Sequence, residues 1–289
     1  MRQSPHAKPR VITDALLERW PLPKPASEGS KEARGRAVII AGAAEMPGAA
    51  ILASTAALRA GAGKVRVAID EAAALHVGTA VPELFVLGIA KGKTRDETLR
   101  AIADSAAKAT AVLIGPGMRD DAAIRTLLPQ LLAIETLSAL VVDATALLPC
   151  IEFIRKSNRI RGKVIITPHG GEMDAISGGE KDREGYARNF AAEHGTIVAL
   201  KGAQTLIGAP DGSAYRNNRG NVGLATAGSG DVLAGIIVGL CARGADPVQA
   251  AAWAVSIHAR AGERLARRIG LVGYLAREIL EEIPRLTSL

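Results

Sequence analysis

From residue 36 onward the chain alternates short, unbroken apolar runs with longer stretches of helical period. Ala37-Val-Ile-Ile-Ala-Gly42 is all apolar and ends in glycine, the pattern of a buried strand. Pro47-Gly48 opens a helix that runs to about Arg59, with proline in a first-turn position, and Gly61 and Gly63 stop it. Strands are predicted at 64–69, 84–87, 111–115, 139–143, 164–167 and 196–200, and helices at 94–109, 120–133 and 181–193. Strands apolar on both faces, separated by helices, mean βαβ units in a parallel sheet covered on both sides. Gln204–Gly208, the turn Ala209-Pro-Asp-Gly212 and Ser213–Tyr215 read as a hairpin interrupting that order. The final third is helical. From Val232 to Leu240 the large residues fall at 232, 233, 236, 237 and 240, with Gly244 as the stop. Asp246-Pro247-Val248-Gln249 gives an N-cap, a first-position proline and an N3 glutamine. The expected architecture is a three-layer α/β/α sandwich on a mostly parallel sheet. No composition break divides it, so 34–289 is read as a single domain. Residues 1–33, with Pro5, Pro9, Pro21, Pro23 and Pro25, are read as a partly irregular N-terminal extension carrying a short helix around Thr13–Trp20.

Composition sharpens this picture. The 289 residues are 48% hydrophobic but only 3% aromatic, so the interior is built from Ala, Val, Leu and Ile, which lets helices lie close on a sheet. Cys150 and Cys241 sit in apolar surroundings without a CxxC or histidine-spaced partner, and read as reduced core residues. The net charge of +7 is spread along the chain. Its densest cluster, Arg155, Lys156, Arg159, Arg161 and Lys163, reads as a solvated connection before a strand. Without stacking aromatics or a recognised module, the basic excess points to anionic small molecules and not to nucleic acid. The N-terminal stretch has no signal-peptide pattern, and the longest apolar run, Val232–Ala242, is too short for a membrane span. The expectation is a soluble, cytoplasmic protein without a membrane partner.

The chemistry-bearing residues gather where open α/β sheets bind ligands, at the C-terminal ends of strands. Gly228, Ser229 and Gly230 stand at the start of a buried helix, where free backbone amides and the helix dipole form an anion hole. Asp231 in that first turn is either a cap or a base able to activate a hydroxyl for phosphoryl transfer. Gly115-Pro-Gly117 is a tight turn or a ligand loop. Asp143 is a helix cap or a magnesium- or phosphate-side carboxylate. His169 and Glu172 lie three apart on a loop shaped by Pro168 and two glycines, and Lys201-Gly202 ends a further strand. Each is a weak signal alone. Together they describe a phosphate-bearing ligand held at the strand ends.

Pro47-Gly-Ala-Ala50, Ile114-Gly-Pro-Gly117, Thr167-Pro-His-Gly-Gly-Glu172, Lys201-Gly-Ala-Gln-Thr205 and Ala225-Thr-Ala-Gly-Ser-Gly-Asp-Val-Leu-Ala-Gly235 resemble the motifs of the ADP-dependent NAD(P)H-hydrate dehydratases. These belong to the ribokinase-like superfamily, and the resemblance runs in order from about residue 34 to Pro284. It implies a repair reaction: the S epimer of hydrated NADH or NADPH is dehydrated while ADP is split to AMP and phosphate. It places Ala49, Gly117, His169 and Asp231 on the hydrated nucleotide. It places Lys201, Gly202, Ala203, Gln204, Thr205 and Gly230 on ADP, with Asp231 as the catalytic base. It further implies ADP as co-substrate, Mg2+ beside it, a homo-oligomer of tetramer type, and a separate epimerase. That epimerase is expected as a separate protein because the first strand already begins at Ala37, leaving no room for the N-terminal epimerase domain of some relatives. Two departures stand out. Thr145 replaces a second acidic residue after Asp143, and Gly170 replaces a common proline. The competing readings are an ATP-dependent kinase of vitamin precursors on the same fold, told apart by its phosphorylated product, and a nucleotide sensor without catalysis, against which an intact Asp231 argues.

Overall fold

A computed structural model describes residues 8–24, 31–156 and 162–287. In chain order its strands and α-helices are β1 (Arg10–Val11), α1 (Asp14–Glu18), β2 (Arg36–Ile40), α2 (Pro47–Arg59), β3 (Lys64–Asp70), α3 (Glu71–Ala80), β4 (Phe85–Ile89), α4 (Arg95–Ala107), β5 (Ala111–Ile114), α5 (Asp121–Leu132), β6 (Ala139–Val142) and α6 (Leu147–Ile154). They continue with β7 (Val164–Ile166), α7 (Gly170–Ser177), α8 (Arg183–His194), β8 (Ile197–Leu200), β9 (Thr205–Gly208), β10 (Ala214–Asn217), α9 (Ser229–Ala242), α10 (Pro247–Arg268) and α11 (Ala276–Leu286).

All the strands join one sheet, ordered β1-β10-β9-β8-β7-β6-β5-β2-β3-β4. The pairings from β8 through to β4 are parallel, and β9 runs antiparallel to both neighbours as the predicted hairpin requires. Successive strand residues face opposite sides, so each strand feeds two cores. Ile39 and Leu113 belong to the cluster under α2, α9, α10 and α11, whereas Val38, Ile40, Val112 and Ile114 belong to the cluster under α4 to α8. This is the expected α/β/α sandwich. The chain runs outward from β2 to β3 and β4, then returns to the other side of β2 as β5. The carboxyl ends of β2 and β5 therefore flank the switch point, where such sheets open a crevice.

Three local departures have physical causes. α6 was hidden by Pro149, which sits in the first turn where its missing N–H costs nothing. α7 was masked by Gly170 and Gly171, and its start is created by side chains described below. Gln249 does not close a capping box on Asp246; its Nε2 donates instead to the carbonyls of Trp20 (3.1 Å) and Pro21 (2.9 Å), tying the N-terminal segment to α10. That segment is more regular than expected. β1 pairs with β10, and Ile12, Leu17 and Leu22 are buried in the core. Of the basic cluster, Arg155 and Lys156 close α6, and residues 157–161 lie outside the described residues. Among the described residues no helix is long and apolar enough to cross a membrane.

Candidate active site

α9 opens with Gly228 as its N-cap, at φ 85°, and no side chain closes that end. The left-handed backbone suits glycine, and a Cβ there would stand 2.4 Å from Leu52 Cδ1 of α2. The Ser229 amide donates to Thr226 O at 3.2 Å; the other amides at this end have no side-chain cap, and the dipole favours an anion. Asp231, third in the helix, makes no capping bond. Burial raises its carboxyl to about 6, the nearby Asp143 carboxylate pushes the same way, and Lys201 opposes them. A carboxyl tuned to about 6 is poised to take a proton near neutrality.

Asp143 follows β6 and is almost fully buried. Its Oδ1 accepts from Lys201 Nζ at 2.8 Å and from the Thr167 hydroxyl at 2.7 Å. A Cβ built on Gly230 would lie 3.5 Å from Lys201 Nζ, so the ammonium spans from Asp143 to the first turn of α9. Lys201 thus keeps a carboxylate partner while facing the first turn of α9. Gly202, Ala203 and Gln204 are exposed in the turn after it, and Thr205 begins β9. The side chain of Gln204 accepts from Arg216 at 3.1 Å.

His169 is the N-cap of α7. Its Nδ1 accepts from the amides of Gly171 (3.0 Å) and Glu172 (3.2 Å), while Glu172 Oε2 accepts from the His169 amide at 2.8 Å. This reciprocal pair is a capping box. With Nδ1 occupied as acceptor, the neutral ring carries its proton on Nε2, 3.6 Å from Glu172 Oε2, on a side chain 59% exposed. The Lys201 amide donates to the Pro168 carbonyl at 2.8 Å, which sets His169 and Lys201 side by side.

At the switch point the Gly42 amide donates to Pro116 O at 2.7 Å. A Cβ on Gly117 would come within 2.5 Å of Ala49 Cβ, so these two expected substrate contacts touch. Ala49 and Leu52 are one turn apart on α2, so the start of α2 abuts both Gly117 and Gly228. On the Gly42 and Met118 side of this loop a cavity of about 300 Å3 opens, lined also by Ala43, Ile89, Arg95 and Asp120; Asp231, Lys201 and His169 do not line it. Thr145 donates to the Met118 carbonyl at 2.8 Å and fastens the Gly115–Met118 loop, a structural role for the position where a second acid was expected.

Metal ligation has little to stand on in the protein itself. Among the described residues no three His, Cys, Asp or Glu side chains converge on one point, and Asp143 is engaged by Lys201 and Thr167. One neighbour of the α9 start carried no sequence signal: His258 of α10, whose Nε2 lies 2.8 Å from Ser229 Oγ.

Known proteins resemble this chain in sequence and in fold. The family model for NAD(P)H-hydrate dehydratase matches residues 37–285. The ADP-dependent (S)-NAD(P)H-hydrate dehydratase of Xanthomonas campestris pv. campestris is 41% identical over 282 residues, covering 95% of both chains. A ribokinase-like superfamily protein of Enterococcus faecalis, known from its crystal structure, superposes with a TM-score of 0.84 at 29% identity, over 96% of this chain and 95% of that one. The ADP/ATP-dependent NAD(P)H-hydrate dehydratase of Bacillus subtilis, co-crystallised with ATP/Mg2+, gives 0.79 at 31% identity over 96% and 97%. With the motifs in order and the fold and strand-end site in place, the chain belongs to the NAD(P)H-hydrate dehydratase family, hydro-lyases on a ribokinase-like scaffold.

Proposed function

We propose that this protein dehydrates the S epimer of hydrated NADH and NADPH at the expense of ADP, releasing AMP and phosphate, with Asp231 as general base. The observation that carries the assignment is the pairing of an uncapped α9 N-terminus with a carboxyl held at about 6 three residues into the helix.

Hydroxide is a poor leaving group, and the site is arranged to replace it. ADP lies along Lys201–Thr205 with its terminal phosphoryl group on the amides of Gly228 and Gly230, the expected Ser229 amide being held by Thr226 O. The Lys201 ammonium, itself held by Asp143, offsets phosphate charge. The hydrated ring packs by Ala49 and Gly117 with His169 Nε2–H as a donor. Asp231 takes the ring hydroxyl proton as its oxygen attacks phosphorus, and AMP departs. The ring nitrogen lone pair then expels phosphate, and loss of the neighbouring C–H proton restores the dihydronicotinamide. The cavity of about 300 Å3 beside Gly42 gives the rest of the dinucleotide somewhere to lie. Mg2+ would arrive with the nucleotide phosphates, since magnesium sites commonly rest on substrate phosphate and one or two carboxylates; no step above runs through it.

Residues 34–289 form the proposed catalytic unit. A cytoplasmic setting suits the two buried free thiols. A separate epimerase would convert the unreactive epimer into the S form that the site takes, and a tetramer is the proposed assembly. The test mixes the protein with hydrated NADH and ADP and follows the return of near-ultraviolet absorbance with release of phosphate. Absence of NADH with ADP and with ATP, together with a phosphorylated alcohol from ATP, would make the protein a kinase instead.

A further inference from the structure

Ser229, the first residue of α9, meets a histidine from a different helix. His258 Nε2 lies 2.8 Å from Ser229 Oγ and 3.1 Å from Ser229 O. The second contact selects the tautomer. A carbonyl oxygen only accepts, so a bare Nε2 lone pair at that distance would be repelled, and the ring must carry its proton on Nε2. The Nε2–H then serves both Ser229 oxygens. The serine hydroxyl is left unable to give its own hydrogen to the ring and must donate elsewhere. Its position at the mouth of α9 makes the phosphoryl group in the anion hole the natural acceptor.

We propose that His258 is a positioning residue that turns Ser229 into a hydroxyl donor for the transferring phosphoryl group, adding a side-chain donor to the backbone anion hole.

The ring's surroundings keep it in this state. It is enclosed by protein, although the residue as a whole is not fully covered, and this enclosure lowers its titration to about 4. The bond to the Ser229 carbonyl opposes that shift, and the Lys201 ammonium adds to it. At neutral pH His258 is therefore an uncharged, single-tautomer donor. A neutral donor also brings no second cation against Lys201, whose charge is needed for the nucleotide. Because Ser229 is fixed by His258 and its amide also hydrogen-bonds Thr226 O at 3.2 Å, the start of α9 is anchored before a ligand arrives. The catalytic part of this inference rests on the dehydratase reading; the tautomer and the hydroxyl direction do not.

The experiment therefore has two arms. In the first, nitrogen-15 NMR of the histidine rings in the intact protein reads the tautomer at neutral pH. Nε2 protonated and Nδ1 bare is expected, and the opposite tautomer overturns the proposal whatever the enzyme's activity. In the second, wild type, His258→Leu, His258→Gln, Ser229→Ala and the His258→Leu/Ser229→Ala double variant are compared for turnover of hydrated NADH with ADP. They are also compared for calorimetric binding of ADP and of AMP with orthovanadate, which mimics the transferring group. Loss of the hydroxyl donor is expected to lower kcat by roughly 10- to 100-fold, short of the full loss of an oxyanion-hole donor, and to weaken vanadate more than ADP. KM for hydrated NADH should move little. His258→Gln, whose side-chain amide offers an N–H at about the Nε2 position, should recover most of the loss. The double variant should be no worse than either single, since both remove one function. Full kcat and vanadate binding in folded His258→Leu, or a glutamine variant as impaired as the leucine one with an unchanged melting temperature, would overturn it. If the leucine variant does not fold, the glutamine variant and the tautomer decide. Wild type inactive on hydrated NADH would sink the dehydratase reading alone, and vanadate binding would still judge His258.

Discussion

Two helix N-termini lie on either side of Lys201 at the strand ends and are finished in opposite ways. α7 is closed by its own side chains: His169 accepts from two first-turn amides and Glu172 covers the His169 amide. α9 is left open, with a left-handed glycine as its cap and an aspartate that bonds to none of the amides around it. A cap stabilises a helix by about 0.5–2 kcal/mol, so leaving α9 bare costs stability of that order. The protein recovers it by burying α9 more thoroughly than any surface helix. Twelve of its residues, from Ser229 to Ala242, are buried, and Gly235 and Gly239 lie so close to α2 that a Cβ would come within 2.3 and 2.6 Å of backbone carbonyls. The closed terminus presents a histidine. The open one waits for an anion. Local stability and ligand chemistry have been assigned to different helices.

The most severe way to break this division is to disable the carboxylate at the open end. Asp231→Asn is expected to fold, bind ADP at least as well as wild type, and lose about 100- to 10,000-fold in turnover, the range for a lost general base. Near-normal turnover would reduce α9 to a phosphate cradle. The same variant has a stability signature of unusual sign. The folded carboxyl titrates at about 6, whereas an unfolded one titrates at about 4. The folded state therefore holds more protons between those values, and the stability this contributes below pH 4 is lost as pH rises through 6. Asn escapes that loss. Thermal melts should show Asp231→Asn above wild type at pH 8, by at most about 2–3 kcal/mol, with the two converging below pH 4. A cap would give the reverse order.

Next in size is the cation shared between the two termini. Lys201→Ala removes the ammonium that reaches the first turn of α9 and strips a buried aspartate of its counter-charge. ADP affinity by calorimetry should fall by roughly 1–3 kcal/mol. Unchanged affinity would take Lys201 out of the nucleotide site and leave it a structural partner of Asp143.

How much of this contrast could be read from the chain follows from distance along it. The open terminus is local. Gly228, Gly230 and Asp231 sit beside the apolar period that names the helix, and both the helix and its glycine start were legible. The closed terminus was half legible. His169 and Glu172 stand at the spacing of a capping box, but histidine is not a common cap, and Pro168 with two glycines spoke for a loop. The rest was out of reach. Asp143 and Lys201 are 58 residues apart and meet only because β6, β7 and β8 are neighbours in the sheet. His258 lies in the middle of a long amphipathic helix, between Ser256 and Arg260, where its polarity carries no message about which helix it faces. Strands and helices were set by period, and pairings between strand ends were set by topology.

A smaller effect separates the two roles of His169. His169→Ala should cost about 1 kcal/mol of stability through the lost cap, and should raise KM for hydrated NADH more than KM for ADP. His169→Asn restores a capping side chain but not the Nε2–H. If asparagine restores both the melting temperature and KM, the histidine is only a cap, and the closed terminus has no part in binding.

The finest test concerns the field that one carboxylate exerts on another. Asp143 raises the Asp231 carboxyl and Lys201 lowers it. Asp143→Asn removes the first influence while preserving an oxygen for the Thr167 hydroxyl, and it leaves the Lys201 charge uncompensated. Both changes favour the ionised form of Asp231, so its titration should fall toward the ordinary carboxylate range. The activity profile reports this as an acid limb of kcat/KM displaced to lower pH, by less than about one unit, since burial is the larger cause of the shift. The terminal phosphate of a nucleotide titrates in the same region, so the informative quantity is the difference between variant and wild type measured with one nucleotide batch. A compensating loss is expected above pH 7, where wild-type Asp231 is already ionised and a weaker base gains nothing. A limb that moves upward would mean that Lys201, released from Asp143, has swung away from Asp231. The ion pair would then be what keeps the open terminus positive, and Asp143 would matter through the lysine it holds more than through the proton it repels.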